Sequence, residues 1–147
     1  MDLQTFLPYQ LSVLSNKISS GIAKYYKEQH DISIPEWRVL ALLGNCSKLT
    51  AKDLCQQSQM DKVRISRTVK ALEKKALISE DQCKIDARSR RYTLTKQGNS
   101  LIKIVKPKAQ EFEKQLRSSL SDTQLSEFLL CIERLSKQAD KIIEENN

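Results

Sequence analysis

Glycine and proline are scarce in this chain, with three of each in 147 residues. An all-β fold needs far more turn chemistry than that, so strands can be only a minor part. Histidine occurs once, as His30, and the four cysteines (Cys46, Cys55, Cys83 and Cys131) form no C-x-x-C pair. Zinc ligands normally come in pairs a few residues apart, so no metal site is expected. There is no Gly-rich phosphate loop and no pair of carboxylates in an apolar setting. The chain therefore does not read as an enzyme, and it calls for no cofactor. No apolar run approaches the ~20 residues of a membrane span. The N-terminus, Met1-Asp2-Leu3-Gln4, lacks the basic and apolar regions of a secretory leader. A cytoplasmic chain with no membrane partner is expected, where thiols stay reduced. Cys46, Cys55 and Cys131 sit in apolar contexts and read as small hydrophobes. Cys83, beside Lys84, reads as the exposed thiol and the candidate redox site.

What is present is charge, and it is concentrated. Residues 61–96 hold eleven Lys and Arg against five Asp and Glu, which is most of the net charge of +7. A solubility coat would be spread along the chain. A basic stripe confined to one module is the electrostatic footprint of a nucleic-acid contact, because phosphate neutralisation releases counterions. The same stripe could meet an acidic protein surface, and a salt titration on duplex DNA separates the two readings.

Leu11, Leu14, Ile18, Ile22 and Tyr25 fall at helical spacing and predict a first helix over residues 9–26. Ser33-Ile34-Pro35-Glu36 reads as a capping box opening an apolar helix that stops at Gly44. Thr50-Ala51-Lys52-Asp53 opens a short helix ending near Gln57, and a basic helix follows from Asp61 to Lys75. Residues 77–95 change to a period of two and predict a two-stranded hairpin, with the polar segment Glu80–Asp86 between its strands. Thr95 can cap the next helix, in which Pro107 predicts a kink or a break. Ser121-Asp122-Thr123-Gln124 opens the last helix, with Leu125, Phe128, Leu129, Ile132, Leu135, Ala139 and Ile142 on one stripe; Glu144 to Asn147 read as disordered. The fold class is mainly α with a small β-hairpin wing. A basic second helix followed at once by a hairpin is a winged helix-turn-helix.

On the basic helix, Ile65, Val69, Leu72 and Ala76 share a narrow stripe that should be buried. Val63, Arg67, Lys70 and Lys74 lie opposite, flanked by Arg64 and Ser66. Arg can fork onto guanine O6 and N7, Ser can serve several bases, and Val can touch a thymine methyl. Lys70 and Lys74 suit phosphate clamping. Asp61 fits an N-cap and is structural. At the hairpin tip, Arg88, Arg90 and Arg91 can enter a minor groove or grip its phosphates, with Asp86 spaced to orient Arg88.

Several segments carry a family resemblance. Ser33-Ile34-Pro35-Glu36-Trp37-Arg38-Val39-Leu40, Leu72-Glu73-Lys74-Lys75-Ala76-Leu77-Ile78, Asp86-Ala87-Arg88 and Leu94-Thr95-Lys96-Gln97-Gly98 resemble the MarR/SlyA family of bacterial regulators. The most specific part is the wing signature, D-x-R followed by a strand ending L-T-x-x-G. The resemblance implies one domain over residues 1–147, with a winged helix-turn-helix core at 34–98 and dimerisation helices at 1–30 and 99–147. It further implies a homodimer on a pseudo-palindromic double-stranded operator, usually as a repressor that answers to a signal or ligand. Val63, Arg64, Ser66 and Arg67 match its base-reading positions, Arg88 the wing arginine, and Asp86 the carboxylate that braces it. Two positions depart from the pattern. Ala76 stands where glycine is usual, and Glu80 stands where arginine is common. A small aromatic or amphipathic effector would find Trp37, Tyr25 and Tyr26 near the dimerisation helices, although core packing is the plainer role for Trp37.

Overall fold

A computed structural model describes residues 2–82 and 90–146. The elements in order are α1 (Leu7–Ala23), α2 (Lys27–His30), α3 (Ile34–Asn45), β1 (Leu49–Thr50), α4 (Ala51–Ser58), α5 (Lys62–Lys74), β2 (Ile78–Gln82), β3 (Arg90–Leu94), α6 (Lys96–Arg117) and α7 (Asp122–Glu145). The chain divides into two compact units, Met1–Ala109 and Gln110–Asn147. The mainly helical class with a small β wing holds.

Local side-chain chemistry starts the helices. Ser33 and Glu36 form a reciprocal capping box, as do Thr50 with Asp53 and Ser121 with Gln124. Each satisfies backbone N–H groups that the first helical turn leaves unpaired. Asp61 caps α5 by accepting the Arg64 N–H at 2.8 Å. The first helix departs from expectation. It ends at Ala23, and a separate short α2 follows, closed by Asp31 in the left-handed region at φ 52°. The break lets Tyr26, 1% exposed, turn inward and stack on Trp37 with ring centroids 5.1 Å apart.

The core of the first unit is a contiguous cluster in which Ile32, Val39, Leu40, Leu54, Ile65, Leu72 and Val105 are fully buried. The sheet has three antiparallel strands in the order β1-β3-β2, where two were expected. The added strand, Leu49–Thr50, pairs through Leu49↔Tyr92 and Thr50↔Arg91. It ties the wing to the start of α4. Glu80, Asp81 and Gln82, expected between the strands, belong to β2 and face Tyr92, Arg91 and Arg90. Cross-strand pairing of Asp81 with Arg91, and the diagonal Glu80–Arg90 ion pair, favour extended backbone here.

The joint after α5 explains the L-T-x-x-G motif. Leu77 N–H donates to Leu72 O and Ala76 N–H to Glu73 O, the paired bonds of a Schellman cap. Such a cap needs a left-handed residue, and Ala76 supplies it at φ 54°. The helix has ended by Lys74, so Ala76 is exposed and not part of the buried stripe. The Thr95 hydroxyl donates to Ala76 O at 2.7 Å and accepts the Gly98 N–H at 3.0 Å. A Cβ on Gly98 would lie 2.1 Å from Leu77 O, so only glycine allows this approach. An L-alanine in left-handed backbone costs roughly 1–2 kcal/mol, and glycine's greater unfolded freedom returns part of that difference. Ala76→Gly is therefore expected to stabilise the fold by about 0.5–1 kcal/mol. Urea midpoints of the two proteins check it, and an unchanged or lower midpoint would show that the left-handed turn is not strained.

In α6 the expected break at Pro107 does not occur, and the helix runs through it. Proline frees the carbonyl of residue 103, and both Lys103 and Pro107 are exposed, so water can satisfy that group. In the second unit, α7 has no buried residue, and Phe128, Leu129, Ile132, Leu135 and Ile142 stand 41–53% exposed. Glu144 and Glu145 complete the helix, where disorder was expected. Among the described residues no helix is long and apolar enough to cross a membrane.

Candidate nucleic-acid interface

Helices α4 and α5 form the helix-turn-helix. Gln59 takes the left-handed conformation at φ 55°, Met60 is buried beneath the turn, and Asp61 restarts the chain as helix. Ile65, Thr68, Val69 and Leu72 fix α5 on the core. Its opposite side is presented outward. Val63 is 60% exposed, and Arg64, Ser66, Arg67, Lys70 and Lys74 are all exposed. None of the four bases on that face makes an ion pair among the described residues. A helix face whose bases have no acidic neighbours at i+4 has its charge available for phosphate and base edges. Lys62, the first residue of α5, is exposed on the same module and was not singled out in the sequence, although it lies inside the charged run.

The wing strands are less free. Arg90 Nη1 lies 3.4 Å from Glu80 Oε2, and Lys48 is ion-paired with Asp81. Burial pushes the Tyr92 hydroxyl up, and the Glu80 and Glu73 carboxylates push it further. The Lys48 ammonium, and less strongly the Arg91 guanidinium, hold the Asp81 carboxyl below its usual range. Arg91 thus sits opposite Asp81 and Arg90 reaches diagonally to Glu80, so their charge is partly offset within the wing. Cys83, Asp86 and Arg88 lie outside the described residues.

The remaining sequence candidates separate. Cys46 and Cys55 are half-buried against the core, as a small hydrophobe would be. Cys131 is exposed, because α7 buries no side within this chain. Burial pushes the Tyr26 hydroxyl up to about 12, offset in part by Arg38. Trp37 edges a surface recess of about 320 Å³ with Arg38, Ala41 and Gln57, which neither Tyr25 nor Tyr26 lines.

The family profile described as Transcriptional regulator SarA/Rot matches residues 21–105, more than half of the chain and the span that holds α3 to β3. The chain belongs to the SarA/Rot family of transcriptional regulators. Among individual relatives, it is 28% identical over 105 residues to the HTH-type transcriptional regulator SarZ of Staphylococcus haemolyticus (strain JCSC1435), covering 69% of this chain and 71% of that protein. A MarR/EmrR family transcriptional regulator from Acinetobacter sp. ADP1 superposes with a TM-score of 0.88 at 26% identity, over 96% of this chain and 99% of that one. BpsR of Bordetella bronchiseptica, whose DNA binding is regulated by 6-hydroxynicotinic acid, shares the fold at a TM-score of 0.80 and 14% identity, over 92% and 96% of the two chains. The MarR/SlyA resemblance seen in the sequence is thereby upheld. As a SarA/Rot-family chain the protein is a DNA-binding regulator with a winged helix, not an enzyme.

Proposed function

We propose that this SarA/Rot-family regulator reads double-stranded operator DNA as a homodimer, most simply as a signal-responsive repressor on a pseudo-palindromic site. The observation that carries this is the two-sided α5, one face locked on the core and the other exposed, basic and, among the described residues, without ion-pair partners. In this reading Val63, Arg64, Ser66 and Arg67 meet base edges while Lys70 and Lys74 hold phosphates. Arg88, Arg90 and Arg91 serve the wing, with Asp86 orienting Arg88. Two-fold symmetry of the operator follows from two-fold symmetry of the protein. The regulation of BpsR by an aromatic acid supports a small aromatic or amphipathic effector, and Cys83 is the alternative signal input. The site of action is the cytoplasm, where bacterial DNA lies.

The experiment is selection of bound duplexes from a random library, followed by two variants on the selected and scrambled sequences. Arg67→Ala should relax preference at one or two base pairs per half-site, at roughly 1–3 kcal/mol of discrimination. Lys70→Ala should weaken both duplexes alike and flatten the dependence of log K on log salt by about one. Identical behaviour of the two variants would sink the division into reading and clamping residues, and recovery of no preferred sequence would sink the proposal.

A further inference from the structure

A second basic surface lies in the first unit and shares only Arg64 with the reading face of α5. It is a cavity of about 560 Å³ walled by α1, α2, the start of α3 and the start of α5. Four bases line it: Lys24 and Lys27 from the α1–α2 joint, Arg38 from α3, and Arg64 from α5. Glu28 is the one acid on the same wall. Among the described residues none of the four bases makes an ion pair, with Glu28 or with any other acid. Arg38 donates to the neutral Ser19 hydroxyl at 3.4 Å. No local pattern announces this arrangement, since the contributing residues are spread over four helices and its bases lie mostly outside the charged run.

We propose that this cavity binds a phosphate ester. Two arginines, two lysines and three serines line one concavity, and like charges held there repel one another until an anion enters. Arginine forks and lysine point charges together suit a doubly charged, tetrahedral acceptor better than a single planar carboxylate. The volume lies within the range of small-molecule sites, so it has room for the group that carries the phosphate. Arg64 makes the site consequential. It lies on the first turn of the recognition helix, so a phosphate that holds it from the α1–α3 side competes with, or orients, its contact to a base. Two sources offer the same chemistry: a backbone phosphate of the operator flank, or a free phosphorylated small molecule.

The variant Lys24→Gln/Arg38→Gln removes two charges without touching Arg64 or any residue assigned to base reading. Both positions are exposed, so the fold should survive, and circular dichroism with a thermal melt confirms it. If the phosphate is the operator's, the variant should bind duplex at least five-fold more weakly and lose about two from the salt slope. If it is a free ester, the variant should bind duplex as wild type does. Glucose 6-phosphate should then shift wild-type DNA affinity at least five-fold beyond an ionic-strength-matched chloride control, and leave the variant unmoved. Equal affinity, equal salt slope and no specific response to glucose 6-phosphate in either protein would overturn the inference. The first arm rests on the DNA-binding reading. Calorimetric titration of inorganic pyrophosphate into the protein tests the cavity separately, so a chain that bound no duplex would sink that reading without deciding this one.

Discussion

Lys75→Met should cost about 2–4 kcal/mol of folding stability, an effect large for a surface-reachable lysine. The lysine closes α5, and its ammonium lies 2.9 Å from Glu36 Oε1 and 3.4 Å from Asp31 Oδ2, and donates to the Asp31 carbonyl. Glu36 is 5% exposed. Its other oxygen accepts from the Ser33 N–H and the Ser33 hydroxyl, each at 2.7 Å. Methionine keeps the stem of the side chain but leaves a buried carboxylate with its capping bonds and no counter-charge. Those two bonds from Ser33 hold the cost below that of a fully orphaned ion. Glu36→Gln keeps the capping geometry and removes the charge, so the double variant should recover a substantial part of the loss. Denaturant unfolding of the four proteins closes the cycle, and strict additivity would show that the pair does not interact.

The pH dependence of that difference follows from the two groups. Burial is the largest influence on Glu36 and pushes its carboxyl up, but the Ser33 and Lys75 contacts together outweigh it and hold it below the usual range. A lowered carboxyl contributes stability above the ordinary glutamate value of about 4.3, and loses it as pH falls through the folded value. For Lys75, burial acts downward most strongly, yet Glu36 and Asp31 together raise it. A raised ammonium contributes fully below about 10.4 and loses its part as pH rises through the folded value. Wild type should therefore lead Lys75→Met across the neutral range. The lead should shrink in acid as Glu36 takes a proton, and shrink again in strong alkali.

Such local chemistry is what a sequence displays openly. The capping boxes at Ser33, Thr50 and Ser121, and the cap at Asp61, depend on residues within three positions of one another, and all four form. The buried and exposed sides of α5 follow from a helical period that neighbours do not alter. The failures share a different cause. Strand β1 has two residues, and it exists only because β3, some forty positions later, presents an edge. The break after Ala23 is set by the burial of Tyr26 and the left-handed Asp31, neither of which has a local signal. Glu80 and Asp81 read as turn residues because their partners across the strand, Tyr92 and Arg91, lie some ten positions later. Pro107 ends a helix only where its freed carbonyl has no water. The basic cavity at Arg38 escaped for the same reason as β1, since its parts meet only in three dimensions.

Ile132→Asp on α7 should convert the proposed dimer to a 16.9 kDa monomer and cut operator affinity by about 10²–10⁴-fold. Leu125, Phe128, Leu129, Ile132, Leu135 and Ile142 recur at helical spacing along α7, and Ile132 is 44% exposed within this chain. The N-terminal helix of the first unit likewise shows Leu7, Leu11 and Leu14 to solvent, at 38–46% exposure. On the proposed reading, an apolar stripe of this length on a basic, mean-hydropathy −0.50 chain is covered by a second copy. Aspartate in the middle of that stripe places a charge where the partner offers apolar side chains, at a cost few interfaces withstand. Ile132 belongs to the compact unit Gln110–Asn147 and α5 to the unit Met1–Ala109, so α5 and its bases should keep their form. The loss of DNA binding would then come from valency alone. Each monomer would still reach one half-site, but the second half-site would no longer be delivered at high local concentration. Sedimentation of both proteins at micromolar concentration, paired with anisotropy on full and half operators, measures the two effects together. A monomeric variant that still bound the full operator as wild type does would show that one recognition helix suffices, and the symmetric-operator reading would fall with it.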